Sequence, residues 1–329
     1  MAFSNTTSII EIIWMVIQIL TYIFYLLIII YICKKKDSRN LTHTFDVSLR
    51  THWTANFLVN FFQFVTIIFY QKIPYWSGRN YYFVDNRIIY KLYPIMFYGP
   101  ITSCVIGNII IIFNRFFGIM YPLIYKNKWN LKVCYIFIII QIFLPLILYS
   151  YTFNSVVELI IDYEFDRSYF DIESPFSRIA TNITLGIIVI LSAIISLVLN
   201  LIIWIKYKKF FEVKVKDQDV VQKFSYFIYT LILSISLFIF TIQQCIRFES
   251  IFYNDQEQRN SLSLWIYWVL PFITTFQPYY LVLCSKSIRS DILHTHGISY
   301  VKENYCQRSI FTRNGTTNRT IPNKTWISK

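Results

Sequence analysis

Residues 9–36 read IIEIIWMVIQILTYIFYLLIIIYICKKK, a long apolar run that ends in three lysines. Because a helix rises about 1.5 Å per residue, roughly 20 apolar residues cross a bilayer core about 30 Å thick. No basic residue precedes the run, it is longer than the hydrophobic part of a signal peptide, and no small-residue cleavage site ends it. We therefore interpret it as a transmembrane helix that also serves as a signal anchor.

Six further apolar runs of similar length follow the first. The predicted spans are residues 9–33, 53–73, 93–113, 133–153, 183–205, 224–246 and 264–284. Hydrophobic residues make up 55% of the 329-residue chain and charged residues 15%, a composition far from that of soluble proteins. The sequence therefore predicts an all-α polytopic membrane protein, a seven-transmembrane helix bundle like that of G protein-coupled receptors, which occupies residues 1–293.

Basic residues concentrate in alternate gaps between the spans. The segments after spans one, three, five and seven hold 23 of the 31 lysines and arginines. Cytoplasmic loops carry the excess of Lys and Arg, so we predict an extracellular N-terminus and a cytoplasmic C-terminus in the plasma membrane, with a sensory cilium as one candidate location. The net charge of +13 is then a topology signal and an attraction to anionic lipid, and nucleic-acid binding is excluded.

The segment after the seventh span changes character. In residues 285–293, Ile288 and Ile292 are four residues apart, and polar residues take the other face. This spacing predicts a short amphipathic helix in the membrane interface, and an ordinary polar run is the alternative. Residues 294–329 are polar and basic, which predicts a disordered cytoplasmic tail.

Cysteines and sequons give few firm sites. The segment 154–182 between spans four and five has no cysteine, so the disulfide that joins the third helix of most rhodopsin-like receptors to this loop cannot form. Cys284, just inside the membrane, is a candidate for palmitoylation, with an unmodified thiol as the alternative. Asn5, in the sequon Asn-Thr-Thr, is the predicted glycosylation site, because it alone lies clearly outside.

A charged residue stands at the cytoplasmic end of the third span. Asn114-Arg115 is followed seven residues after the arginine by Pro122, which ends the helix and starts the next loop. A guanidinium here could hydrogen-bond neighbouring helices in a closed bundle and meet a partner in an open one. The alternative is that Arg115 only snorkels to the interface as a topology marker.

Two segments resemble a known family. The stretch NRFFGIMYPLIYKNKW at 114–129 and the stretch QPYYLVLCSKSIRSDI at 277–292 are similar to nematode serpentine chemoreceptors, the gamma class or its near relatives, and the aromatic-rich segment 81–98 fits the same resemblance. The resemblance implies the seven-helix fold, detection of chemical cues by sensory neurons and signalling through a heterotrimeric G protein. It makes Asn114, Arg115 and Pro278 the expected coupling and switch residues.

The chain also departs from rhodopsin-like receptors at two of these positions. Asn114 stands where an acid usually precedes the arginine, so an acid–arginine pair cannot hold the resting state. In the seventh span, Gln277-Pro278 resembles the usual Asn-Pro element, but Leu281 replaces its tyrosine. Pro278 still frees a backbone carbonyl and permits a kink.

The outer half of such a bundle should form the ligand pocket. The candidates are Tyr98, Gln243, Gln244 and Trp268, although Trp and Tyr at this depth also form interfacial belts. No span shows a buried carboxylate that would pair with an amine, so we expect a neutral small molecule. Four asparagines deeper in the spans are predicted to bond across helices: Asn56, Asn60, Asn108 and Asn200.

Other functional classes find little support. The four histidines have no metal-ligand spacing, the seven glycines form no phosphate-binding loop, and no catalytic residues, cofactor or metal site can be assigned, so we do not expect an enzyme. A seven-helix ligand-gated odorant channel would place the N-terminus inside, against the charge bias. A small transporter is disfavoured by the missing internal repeat and by the expected absence of intramembrane acids or bases for ion coupling.

Overall fold

The structure is a computed structural model that describes residues 2–34, 43–77, 87–162, 167–212, 218–253 and 256–284. The predicted amphipathic helix at 285–293 and the predicted tail at 294–329 lie outside the described residues.

Ten α-helices and two strands make up the described chain. Their bounds are α1 Ala2–Lys34, α2 His43–Ile67, α3 Ile73–Ser77, α4 Arg87–Met120, α5 Pro122–Lys128, α6 Leu131–Leu148, β1 Val157–Asp162, β2 Arg167–Ile172, α7 Pro175–Glu212, α8 Gln218–Phe252, α9 Gln256–Ile273 and α10 Gln277–Cys284. A π-helical segment, Ile68–Lys72, joins α2 to α3, and a 3₁₀ turn, Ser150–Asn154, follows α6.

Six of the described helical segments are long and apolar enough to cross a membrane. The seventh predicted span is divided between α9 and α10, which are separated by Thr274–Phe276. Every predicted span falls on helix apart from short breaks of this kind. The all-α seven-helix bundle is therefore confirmed.

Helix α4 is the centre of the bundle. Of the residues in its apolar stretch, 78% are buried, against 17% in α6, whose side chains mostly face outward. It packs against α2, α6, α7 and α8. A helix that is apolar on every side and enclosed by others can present polar groups only to neighbouring helices. This position explains why α4 contributes most of the residues discussed below.

The loop between α6 and α7 contains a structure that the sequence analysis did not predict. Strands β1 and β2 pair antiparallel, from Val157 opposite Ile172 to Asp162 opposite Arg167. The ring of Phe170 stacks on Tyr93 of α4 with centroids 5.4 Å apart. We call the end of the bundle that carries this hairpin the hairpin end, and the end where α4 stops at Met120 the opposite end.

The hairpin is fastened without a disulfide. The Ser168 hydroxyl donates to the Pro74 carbonyl at 2.8 Å, and Arg178 Nε donates to the Ile172 carbonyl at 2.8 Å. Arg178 also forms an ion pair with Asp171 at 3.5 Å. None of the cysteines in the described residues forms a disulfide.

Candidate functional site

A buried arginine and a predicted pocket residue meet at the hairpin end. Arg247 of α8 is 5% exposed, and its Nη2 donates to the Tyr98 hydroxyl of α4 at 3.0 Å. The other two nitrogens, Nε and Nη1, are buried and have no hydrogen-bond partner. Arg247 was not among the predicted site residues, because it lies one position beyond the predicted sixth span, 224–246. The signal available in the sequence was a single arginine directly after the apolar run 224–246, which could have marked Arg247 as a functional residue.

Aromatic rings enclose this arginine. The Arg247 guanidinium carbon lies 5.7 Å from the Tyr98 ring centroid, within cation–π range. The Tyr98 ring is 5.9 Å from that of Tyr149, whose hydroxyl hydrogen-bonds Thr102 at 2.9 Å. Tyr93 and Tyr149 lie near this guanidinium. The surroundings of Arg247 are thus rich in tyrosine: Tyr93 and Tyr98 come from α4, and Tyr149 follows the end of α6.

The two glutamines predicted to bind the ligand, Gln243 and Gln244, lie on α8 one turn before Arg247 and hydrogen-bond to each other. Gln243 Nε2 donates to the Leu262 carbonyl of α9 at 2.9 Å, which joins the two helices. Gln244 Nε2 donates to Gln243 Oε1. Both side chains are buried. A ligand that contacted them would have to exchange these bonds.

Trp268 takes a different position from the other predicted ligand residues. It is half-buried and stacks on Trp14 of α1 with centroids 5.3 Å apart. Trp14 in turn donates its Nε1–H to the Tyr267 carbonyl at 3.4 Å. The structure therefore brings Tyr98 and the α8 residues to one region and places Trp268 at the contact of α1 with α9.

The expectation that no span holds a buried carboxylate is wrong. Glu11 of α1 is 6% exposed, and its Oε1 lies 2.7 Å from Nζ of Lys72, which is fully buried. Trp76 Nε1 donates to the other carboxylate oxygen at 2.9 Å, and Lys72 Nζ lies 4.3 Å from the Tyr267 ring centroid. Both residues lie inside the predicted spans 9–33 and 53–73, near their ends. With both oxygens bonded, Glu11 offers nothing to an amine ligand.

A small cavity lies beside this ion pair. Its volume is about 10 Å³, and residues of α1, α2 and α9 line it, among them Gln18, Gln63 and Tyr267. Gln18 Nε2 is buried without a hydrogen-bond partner. The space suits one water molecule and is too small for an organic ligand.

A polar network crosses the middle of the bundle at the break in the seventh span. Gln277 Nε2 donates to Asn108 Oδ1 at 2.6 Å, and Asn108 Nδ2 donates to the Ile273 carbonyl at 2.8 Å. Tyr25 of α1 donates to Gln277 Oε1 at 3.2 Å. The network thus ties α1, α4 and both halves of the seventh span together.

Pro278 accounts for the break itself. A proline has no N–H, so the carbonyl four residues earlier, on Thr274, loses its helical donor. Asn60 Nδ2 of α2 donates to that carbonyl at 3.2 Å. The chain turns instead through a bond from the Phe276 N–H to the Pro271 carbonyl at 2.9 Å. The kink expected at Pro278 is therefore a full interruption of the helix.

The two remaining asparagines also bond between helices, as predicted. Asn56 Oδ1 accepts from Gln141 Nε2 at 2.8 Å, which joins α2 to α6 across α4. Asn200 Oδ1 accepts from the Thr230 hydroxyl at 2.8 Å, which joins α7 to α8. Such bonds stabilise transmembrane bundles by about 1 kcal/mol or less each.

The opposite end holds two of the predicted switch residues, Asn114 and Arg115. Arg115 of α4 is fully buried and interacts electrostatically with Tyr229 of α8. The Tyr125 hydroxyl of α5 donates to Asn114 Oδ1 at 2.7 Å, and the Tyr125 ring stacks on Trp129 at 5.5 Å. The motif Asn-Arg followed by a tryptophan-containing loop is thus one packed unit.

A lysine of α7 closes the end of α4. Lys206 Nζ donates to the carbonyls of Ile119 and Met120, both at 3.0 Å. The last carbonyls of a helix have no partner within it and favour a positive charge. The bonds therefore join α7 to α4 about one turn from Arg115.

The predicted glycosylation site and metal expectations complete the survey. Asn5 belongs to α1, its side chain is outside the described residues, and its glycosylation stays a prediction. Among the described residues, no group of histidines, cysteines and carboxylates is placed to hold a metal ion.

A comparison with known families supplies the remaining finding. The family described as serpentine type 7TM GPCR chemoreceptor Srv matches residues 14–298, most of the chain. Among curated proteins, none matches this sequence. The resemblance to nematode serpentine chemoreceptors is confirmed, and the matching class is Srv where the motifs had suggested the gamma class. This seven-helix chain, with its buried Asn-Arg element, therefore belongs to the Srv family of serpentine G protein-coupled receptor-type chemoreceptors.

Proposed function

We propose that this chemoreceptor binds a small chemical cue at the hairpin end and activates a heterotrimeric G protein at the opposite end. The plasma membrane would hold it with the hairpin outside, as the loop charges predict. The ligand would stabilise an arrangement of the bundle that differs at the coupling end, which is a shift between two populations.

The observation that carries the proposal is the enclosure of Arg115. A guanidinium is costly to bury, so a fully enclosed one at a helix end is more readily explained by a second state than by simple anchoring. In the described state the Asn114–Tyr125 and Lys206 bonds join α5 and α7 to this end of α4, and Tyr229 of α8 lies near Arg115. Outward movement of α8 would uncover Arg115 for a partner helix.

Arg115→Ala tests the proposal. In cells that express the receptor with a G protein reporter, an agonist found by screening odorants should raise cAMP, cGMP or calcium in the wild type. The variant should lose most of this signal at normal surface density and ligand binding, because the contact is made mainly in the coupled state. Lys128→Ala, which removes an exposed charge from the same end, should signal normally.

Asn114→Asp provides the opposite change. An aspartate would keep Tyr125 as a donor and add a negative charge beside Arg115, which favours the closed state. Basal signalling should fall about fivefold, the shift in a two-state ratio for about 1 kcal/mol. If the Arg115→Ala variant signals normally at normal surface density, Arg115 is only a topology residue, and its proposed role in G protein coupling is wrong.

Two alternatives have their own signatures in the same cells. A ligand-gated current that persists when G protein signalling is blocked would favour the odorant channel. Uptake of the cue would favour the transporter, for which the Glu11–Lys72 pair supplies the intramembrane charges whose absence was expected from the sequence. This pair is closed at 2.7 Å and capped by Trp76, an arrangement that supports a structural role.

A further inference from the structure

Arg247 lacks compensation for its charge. Its guanidinium carries five N–H donors and stays protonated in proteins. Only Nη2 has a hydrogen bond, to the neutral hydroxyl of Tyr98, while Nε and Nη1 are buried without partners. Burial of a charge in this way costs several kcal/mol unless a counter-ion is supplied.

The described chain supplies no such counter-ion. No carboxylate of the described residues forms an ion pair with Arg247, and the buried or half-buried acids at this end have other partners. Asp171 pairs with Arg178 at 3.5 Å and accepts from the Ile172 N–H at 2.9 Å. Glu11 is bound by Lys72. The described residues therefore leave the Arg247 charge without a counter-ion.

The surroundings restrict what that charge can belong to. The Tyr98 ring lies against the guanidinium, the Tyr149 ring packs against Tyr98 at 5.9 Å, and the apolar cluster at this end includes Phe97 and Phe170. A guanidinium offers pairs of parallel N–H groups, Nε with Nη2 or Nη1 with Nη2, that match the two oxygens of a carboxylate, while the rings suit an apolar body.

We propose that Arg247 anchors the carboxylate of a small organic acid whose apolar part lies against Tyr98 and Tyr149. The inference rests on the proposed function in that it names the chemical class of the cue. It replaces the neutral molecule that the sequence analysis expected. On binding, one carboxylate oxygen accepts from the open Nε or Nη1 of Arg247 and the other from the remaining N–H of Nη2.

The test uses the full-length receptor, purified into nanodiscs of zwitterionic lipid. The probes are straight-chain carboxylic acids from butanoic to decanoic and phenylacetic acid, each compared with its methyl ester. Thermal unfolding reports binding, because a ligand that binds only the folded state raises the midpoint. At least one acid should raise the midpoint, and its ester should not.

Arg247→Gln should weaken the binding of that acid about 10- to 100-fold, the usual range for loss of a charged hydrogen-bond partner. It should also leave the ligand-free midpoint equal or higher, since an uncompensated buried charge is removed. A merely structural arginine would lower it. Lys91→Gln, which removes an exposed charge from α4 near the same end, is the matched control and should bind as the wild type does.

Three outcomes overturn the inference: no acid raises the midpoint, acid and ester act equally, or Arg247→Gln binds the acid normally. A fourth outcome would also overturn it: anionic lipid in the nanodisc, without any added acid, raises the unfolding midpoint and does so only when Arg247 is present. The counter-ion would then be a lipid headgroup. None of these readouts involves a G protein. If the Arg115 experiment shows no role in G protein coupling, the binding of an acid at Arg247 is unaffected. If no acid binds at Arg247, the proposed coupling role of Arg115 is unaffected.

Discussion

At the scale of single residues, a missing side chain can matter as much as a hydrogen bond, as Gly107 of α4 shows. Gly107 of α4 has no side chain where the Asn56–Gln141 bond passes, and a methyl group there would collide with both amides. The glycine is what allows α2 and α6 to bond across the central helix. Close approach of helices at small residues is common in membranes.

Gly107→Ala should therefore destabilise the receptor by about 1–3 kcal/mol, the usual cost of forcing extra atoms into a packed site. The matched control is Gly186→Ala in α7, where an added methyl group meets nothing within 4 Å. That variant should keep or slightly raise the midpoint, since alanine favours helix by up to about 1 kcal/mol. Thermal unfolding in detergent measures both, and equal midpoints for the two variants would contradict the packing argument.

At the scale of an element, the seventh span shows how a broken helix is stabilised by its neighbours. Pro278 leaves the Thr274 carbonyl without its helical donor, and Asn60 of α2 supplies one. The adjacent Ile273 carbonyl accepts from Asn108 and from Gln277 Nε2, at 2.8 and 2.7 Å. Backbone groups freed inside a membrane protein need such partners, because no water is at hand.

A double-mutant cycle should expose this dependence. Asn60→Leu removes the donor and should lower stability by about 1–3 kcal/mol, the cost of an unsatisfied buried carbonyl. Pro278→Ala restores an N–H that can bond to Thr274, so the double variant should recover much of the loss. Unfolding midpoints of all four proteins give the coupling. Simple additivity would mean that Asn60 does not serve the freed carbonyl.

On the scale of the whole molecule, the two ends of the bundle differ in chemistry. The hairpin end holds tyrosines, the Arg247 guanidinium and the Glu11–Lys72 pair. At the opposite end, the last turns of α4 contain the buried Arg115. Lys206 of α7 bonds to the end of this helix, and the segment α5 follows it. The loop charges predict that the second of these ends is cytoplasmic.

Epitope staining tests this orientation. A tag placed before Asn5 should be detected on intact cells, and a tag placed after Lys329 only after permeabilisation, because 23 of the 31 basic residues follow the odd-numbered spans. The opposite staining pattern would remove the basis of the receptor proposal and favour the odorant channel. A surface protein tagged on a known side serves as the control for membrane integrity.

Hydropathy, charge bias and spacing were enough to predict the seven helices, because burial in lipid requires local apolar runs whatever their partners. The same local information predicted that Asn56, Asn60, Asn108 and Asn200 bond between helices, since polar groups cannot face hydrocarbon. The Asn-Arg element and its proline also indicated the receptor family.

Only the tertiary structure decided which groups meet. Glu11 and Lys72 are 61 positions apart, and Arg247 and Tyr98 are 149 apart, so no local pattern relates them. Their contacts depend on how far each helix is rotated and how deep each residue lies, which the packing of all seven spans fixes together. For the same reason the sequence suggested a neutral cue, whereas the packing encloses an uncompensated arginine among tyrosines.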